Sequence, residues 1–264
     1  MDGEICMKKF LSAKIKGILF LFCLALLWEI VSRNRLISPL YFPPMSKNLL
    51  VFYHLILDGT LLLELARSFG RIFGGFFLAV GIMVPLGVAM GLFRPIYNLL
   101  EPLIEFLRPL PAPALIPVIM LFLGIGEAMK IIVIAFACAF PILINTMDGV
   151  RSVEPTFVDT AKVFGRSRYE IILQVVLPAS LHQIFTGWRI ALPIALIVDI
   201  VAEMVGSLNG IGRFILVTQR SFDIPEMYAG IILVAIVGYA LNSLLHFLNN
   251  AVIGWHKAKF ATVT

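Results

Sequence analysis

Charge is what this sequence has least of. Of 264 residues only 14% are Asp, Glu, Lys or Arg, while 60% are hydrophobic. A soluble domain carries about 25% charged residues. So few polar groups cannot cover a water-facing surface, which excludes a soluble globular protein and indicates an integral membrane protein. Cysteine is sparse too. Cys6, Cys23 and Cys138 lie far apart in sequence, without metal-ligand spacing, and read as small buried hydrophobes or incidental thiols. His54, His182, His246 and His256 are scattered, with no His-Glu-x-x-His and no Gly-x-Ser-x-Gly, which leaves catalysis without a motif. A Gly-x4-Gly-Lys-Ser/Thr phosphate loop is also missing, so no ATP is expected on this chain by that route. No metal or other cofactor is expected on it.

What is present is a set of apolar runs near membrane length. Six candidate spans fall at about 17–31, 72–93, 103–123, 131–147, 184–205 and 228–248. Lengths near 20 residues suit helices, whereas barrel strands need about ten with alternation. Lipid offers no partner for backbone groups, which again leaves helices. The expected fold is an all-α membrane protein: a bundle of about six transmembrane helices in a single domain over residues 1–264, with no room for a second, soluble domain. The basic start (Lys8, Lys9, Lys14, Lys16) before a short apolar run has the look of a signal peptide, but Trp28-Glu29 stands where a small-residue cleavage site would be, and more spans follow.

The net charge of +5 is no nucleic-acid signal, because basic residues of membrane proteins flank spans and set orientation. The N-terminal lysines, the 151–168 loop with its arginines, and Lys257 and Lys259 place both termini in the cytoplasm. Arg33, Arg35, Arg67 and Arg71 count against that orientation. Pro109, Pro111, Pro113 and Pro117 break the third span, and Pro141 and Pro193 lie inside later ones. These read either as bent helices around a pathway or as ordinary kinks. Gly70/Gly74 and Gly87/Gly91 form small-xxx-small pairs, which allow close helix contact within or between chains.

Ionisable residues inside spans are candidate functional groups. Arg108 sits among the prolines. It either meets an anion through charge-assisted hydrogen bonds or snorkels to the interface, or pairs with Glu101 or Glu105. Asp199 and Glu203 are four apart and share a helix face. They serve either as a proton relay or, better suited to an anion pathway, as structural hydrogen-bonding or subunit-contact groups.

The polar stretch between spans four and five is the most specific. After Pro155 a short helix over about 156–164 is expected, ended by Gly165 in a left-handed turn. A second helix over about 166–176 follows, with Pro178 bending the approach to span five. Ala161 is small enough for a partner to approach the backbone, and Asp159, Lys162, Arg166 and Arg168 offer charges at the rim. The blander alternative is a solvated loop.

Asp159-Thr160-Ala161-x-x-x-Gly165, nine residues, then Val175-x-Leu177-Pro178 resembles the cytoplasmic signature loop of binding-protein-dependent ABC importer permeases, whose usual pattern is Glu-Ala-Ala-x-x-x-Gly, nine residues, Ile-x-Leu-Pro. Asp stands here for Glu, and Thr for the first Ala. Six further stretches, ISPLYFPP (37–44), SFGRIFGG (68–75), EPLIEFLRPLPAPA (101–114), FLGIGEAMK (122–130), TGWR (186–189) and AEMVGSLNGIG (202–212), resemble the nitrate/sulfonate/taurine group, with taurine and alkanesulfonate permeases most similar. The resemblance implies a core permease region at 66–250 with its coupling loop at 151–180. It implies a bacterial inner-membrane location, a second permease copy, a cytoplasmic ATPase dimer that binds ATP and magnesium, and an extracytoplasmic solute-binding protein. It implies import of a small solute such as a sulfonate, taurine or nitrate by alternating access. The rival reading is a proton-coupled secondary transporter using Asp199 and Glu203.

Overall fold

The computed structural model describes the backbone of residues 2–260, and side chains over 16–249 apart from 18 and 21. The side chains of Cys6, Lys8, Lys9, Lys14, His256, Lys257 and Lys259 lie outside the described residues. The elements of the described residues are all helical: α1 (Asp2–Arg33), α2 (Met45–Leu57), α3 (Thr60–Leu92), α4 (Arg94–Leu107), a 3-10 turn Ala112–Leu115, α5 (Ile116–Leu123), α6 (Glu127–Arg151), α7 (Pro155–Val163), α8 (Arg168–Ile171), a π turn Ile172–Val176, α9 (Leu177–Gly206), α10 (Ile211–Arg220) and α11 (Ile224–Phe260).

Among the described residues four helical stretches are long and apolar enough to cross a membrane: Thr60–Leu92, Glu127–Arg151, Arg168–Gly206 and Ile224–Asn249. They contain the expected second, fourth, fifth and sixth spans. The first expected span lies within α1. The third, expected within 103–123 and broken by its prolines, is interrupted there. Arg94–Leu107 and Ala112–Leu123 pass the same test only as a pair bent by 86°. Pro109 and Pro111 remove two backbone donors at the joint, and Pro111 itself is extended (φ −69°, ψ 117°). Short α2 was not expected from the hydropathy.

The chain forms two compact units. One comprises Met1–Leu62 and Phe214–Leu233, the other Leu63–Arg213 and Val234–Thr264. In the first, Trp28 organises the ISPLYFPP segment. Its ring stacks on Phe42 (centroids 4.4 Å apart) and meets the edge of Tyr228, its indole N–H donates to Pro43 O, and Ser32 Oγ donates to Phe42 O. Tryptophan suits this place because its apolar face packs while its N–H satisfies a turn carbonyl.

The second unit is built on the α6–α9 pair, an extensive helix contact, with α3 packed against α6. Glycines set these distances. A methyl on Gly75 would lie 2.6 Å from Ile134 Cβ, one on Gly87 2.8 Å from Thr146 Cβ, and one on Gly91 2.6 Å from Val150 Cγ1. The Gly87/Gly91 pair is therefore an intrachain seam between α3 and α6. Gly70 has open space beside it and Gly74 only ordinary contact. On the other side of α6, Gly187 of the TGWR stretch lies so close that a methyl would stand 2.9 Å from Pro141 O.

Gly91→Val should lower stability by about 1–3 kcal/mol through overpacking, while Gly70→Ala should be neutral. Thermal unfolding of the two detergent-purified variants, followed by size-exclusion chromatography, reads the difference.

Candidate functional site

Three stretches far apart in sequence meet in one buried polar network of the second unit. SFGRIFGG brings Ser68 and Arg71 on α3. FLGIGEAMK brings Glu127 and Lys130 at the start of α6. AEMVGSLNGIG brings Glu203 at the end of α9 and the 207–212 loop. Arg71 is 3% exposed and Glu203 0%. Arg71 Nη1 donates to Glu203 Oε1 (2.5 Å) and Asn209 O (3.2 Å). Its Nε donates to Glu127 Oε2 (2.5 Å), and its Nη2 to Glu127 Oε1 (2.9 Å) and the Asn209 side-chain oxygen. Lys130, also buried, donates to Glu127 Oε1 (3.0 Å) and Ser207 Oγ (2.9 Å).

The network's work is to hold the loop between α9 and α10. Gly210 N donates to Glu64, Ile211 N to Ser68 Oγ (3.1 Å), and Gly212 N to Glu203 Oε2 (2.7 Å). Ser68 Oγ in turn donates to Glu203 Oε1 (2.7 Å). The glycines follow from this packing. Gly210 has φ +104°, and a methyl there would overlap the Glu203 carboxylate. One on Gly212 would overlap the Ile200 carbonyl. Arg71, Glu203 and Lys130 are thus each paired or hydrogen-bonded within the network, the condition under which burial is tolerated. Removing one partner of such a pair costs about 3–5 kcal/mol.

Asp199, one turn before Glu203, is fully buried, and neither carboxylate oxygen has a hydrogen-bond partner. The two acids therefore differ: Glu203 is the hub of the network and Asp199 stands outside its hydrogen bonds. Sequence reasoning named Asp199 and Glu203 and missed Ser68, Arg71, Glu127 and Lys130. Arg71 was read only as a charge against the expected orientation. It is an interior residue, and Arg33 and Arg67 are paired with Glu29 (2.6 Å) and Glu64 (2.7 Å). The available signal was a cation within helical reach of a long apolar run, opposite an intramembrane acid.

The loop at 151–180 forms an elbow. Helix α7 ends as expected: Gly165 has φ +73°, its N–H donates to Lys162 O (2.9 Å), and Arg166 N–H donates to Ala161 O (3.1 Å). This is a glycine-terminated cap that satisfies the last carbonyls. Ser167 and Glu170 then form a capping box for α8. Pro178 has no N–H for the Gln174 carbonyl, and the helix widens into the π turn there. Asp159 pairs with Lys162 (2.8 Å), and Arg166 with Glu170 (3.1 Å). Thr160 Oγ1 donates to Thr156 O (2.7 Å). Arg168 is exposed, and Leu177 and Pro178 are half-buried. Ala161, small enough for a close approach, is buried within the chain. It packs inward against Val150, Ile171 and Val176, and its small side chain lets α7 seat on the end of α6. The outward residues are Val163 (87% exposed) and Phe164 (79%), with Phe157 and Tyr169 beside them.

Arg108 caps α4 at the broken span. It is exposed and makes no ion pair with Glu101 or Glu105. Glu101 instead accepts from Tyr97, whose ring lies under the Arg151 guanidinium. Arg108 lines a cleft of about 520 Å³ with Phe136, Phe140, Asn145, Ile190 and Ile194. A second cavity of about 80 Å³, on the side of Glu101 and Glu105, shares Arg108 with it.

Residues 81–254 match the family described as the binding-protein-dependent transport system inner membrane component. The chain belongs to this family. It is 33% identical to the taurine transport system permease protein TauC of Escherichia coli (strain K12) over 87% of this chain and 85% of that one. It is 31% identical to the putative aliphatic sulfonates transport permease protein SsuC of Bacillus subtilis (strain 168), over 92% and 88%. It is 31% identical to the bicarbonate transport system permease protein CmpB of Synechococcus elongatus, over 86% and 85%. Its fold is similar to that of the MetNI methionine ABC transporter solved in inward-facing conformations, with a TM-score of 0.64 at 19% identity, covering 73% of this chain and 95% of that one. The protein is a transmembrane permease subunit of an ABC transporter.

Gly210→Ala should destabilise this permease by about 1–3 kcal/mol through backbone strain and displacement of Glu203, whereas Gly81→Ala, with open space beside it, should not. Comparison of their unfolding temperatures in lipid nanodiscs checks the expectation.

Proposed function

We propose that this permease forms the translocation pathway of an ATP-driven importer for a small anion, with both termini cytoplasmic. In this reading it works as a pair of copies with a solute-binding protein outside and an ATPase dimer inside, and the ATPase subunits bind ATP and magnesium. The core permease region is 66–250 and the elbow at 151–180 is the coupling loop. One observation carries the reading. Val163 and Phe164 project from a short helix whose neighbours are charged and whose base is packed into the chain. An apolar patch on a polar, water-facing elbow marks a protein contact. The names of the relatives, which transport taurine, aliphatic sulfonates and bicarbonate, support a small anionic or sulfonate-bearing solute.

The connection to the membrane is direct. From Arg168 to Gly206 the chain is one 39-residue helical stretch, about 58 Å long at about 1.5 Å per residue. Its first turns carry the elbow and its last carries Glu203. Movement of the elbow with the ATPase would be passed along this rod to the network that holds the 207–212 loop. Such a rearrangement between packed states is the two-state element that alternating access needs.

The proton-coupled alternative gains little. Both Glu203 oxygens are engaged by Arg71, Ser68 and Gly212, and neither Asp199 nor Glu203 lines the Arg108 cleft or the cavity beside it.

Phe164→Asp and Gly165→Asp should each reduce ATP-driven uptake at least tenfold while the protein stays in the membrane. Uptake at the parental rate in membrane vesicles holding the whole assembly would overturn the coupling role. A protonophore should leave uptake intact as long as ATP is supplied, and its abolition of uptake would favour the proton-coupled reading.

A further inference from the structure

The cleft beside Arg108 has an unusual balance of groups. Among its lining residues Arg108 is the only charged side chain, Asn145 the only other polar one, and no carboxylate is present. The rest is apolar, with Phe136, Phe140, Ile190 and Ile194 forming the bulk of the wall. Its volume of about 520 Å³ falls within the roughly 300–1,000 Å³ of small-molecule sites.

Arg108 is free to serve a ligand. No hydrogen bond or ion pair among the described residues engages its guanidinium, and the neighbouring Glu101 is taken by Tyr97. A guanidinium offers five donors in a fork that fits two oxygens of a planar or pyramidal oxyanion. Asn145 has already given one amide N–H to Pro141 O (2.8 Å), so one donor and its carbonyl remain. The polar capacity of the cleft is therefore that of a single anionic head. On the far side of Arg108, Glu101 and Glu105 line the small adjoining cavity. They repel an anion there and leave the apolar side as its position.

We propose that this cleft is a selectivity seat in the permease itself, which takes an organic oxyanion with an apolar body, the head on Arg108 and the body against Phe140 and Ile194. The proposal rests on the anion-importer reading and narrows it. A small inorganic anion such as bicarbonate would surrender its hydration to a wall that returns only the Arg108 fork and one Asn145 N–H, a net cost. An organic anion offsets that cost by burying its carbons. Taurine falls between, because its ammonium group would enter the cleft without a carboxylate to meet it. A sulfonate and a carboxylate head share the chemistry required.

The test is equilibrium dialysis of labelled butane-1-sulfonate, taurine and bicarbonate against the full chain in neutral-lipid nanodiscs. The chain expected to bind butane-1-sulfonate saturably should bind taurine at least several-fold more weakly and bicarbonate not at all. Arg108→Gln should weaken butane-1-sulfonate binding at least tenfold, and Arg108→Lys should restore part of it. Ile194→Asn should weaken butane-1-sulfonate more than taurine. Arg108 is exposed and unbonded, so its variants retain the fold, which an unchanged unfolding temperature verifies. Equal binding of bicarbonate, wild-type binding by Arg108→Gln, or no saturable binding of butane-1-sulfonate (the result if a second copy of the chain fills the cleft) overturns the proposal. The dialysis uses neither ATP nor a partner, so these failures are separate from failure of the importer reading, which appears as loss of ATP-driven uptake in the whole assembly.

Discussion

The Arg71–Glu203 pair is the constraint on which the second unit depends. A chain with so few charges places an arginine and a glutamate inside an apolar bundle, and this is tolerable only because each meets the other and is hydrogen-bonded further. The requirement propagates outward. Glu203 needs the amide of Gly212, which draws the 207–212 loop back over the end of α9. That approach leaves no room for a side chain at Gly210 or Gly212. Arg71 needs further acceptors, which fixes Glu127 and Asn209, and Glu127 in turn holds Lys130. One buried pair thus fixes the positions of three helix ends and one loop.

The same helix that ends at Glu203 begins at the elbow. The elbow is held by local devices: a glycine cap, a capping box, a π turn forced by Pro178 and a small inward residue at 161. Each satisfies backbone groups near the interface or lets α7 lie close to α6. They leave Val163 and Phe164 pointing away from the chain. The Arg108 cleft lies beside this helix, against Ile190 and Ile194, where the break at Pro109 and Pro111 opens the third span. The elbow, the long helix and the cleft are all carried by one unit.

Much of the arrangement was legible in the sequence. Apolar length located the helices, because lipid imposes one solution on the backbone. The spacing from Asp159 to Pro178 located the elbow, because glycine and proline act locally on backbone geometry. Burial was harder to read. Ala161 looked like a site of approach but faces inward, and a residue's facing depends on neighbours at 150, 171 and 176 that no local pattern reveals. Arg71 counted as a loop charge, because its partners lie 56, 132 and 138 residues away. The prolines marked the third span as broken, because Pro109 and Pro111 remove two N–H donors in three residues, but the 86° angle of the bend required the fold. Local chemistry was readable, while long-range pairing between separate stretches required the fold.

The most direct measurement is a double-mutant cycle between Arg71 and Glu203 on thermal unfolding in lipid nanodiscs, with Arg71→Met, Glu203→Met and the double variant. The pairing account predicts that each single change, which leaves a buried charge without its most buried partner, is strongly destabilising. The double variant should then be no less stable than either single, giving a coupling of at least about 2 kcal/mol, within the range of contacting residues. Additive losses in the double variant would contradict it.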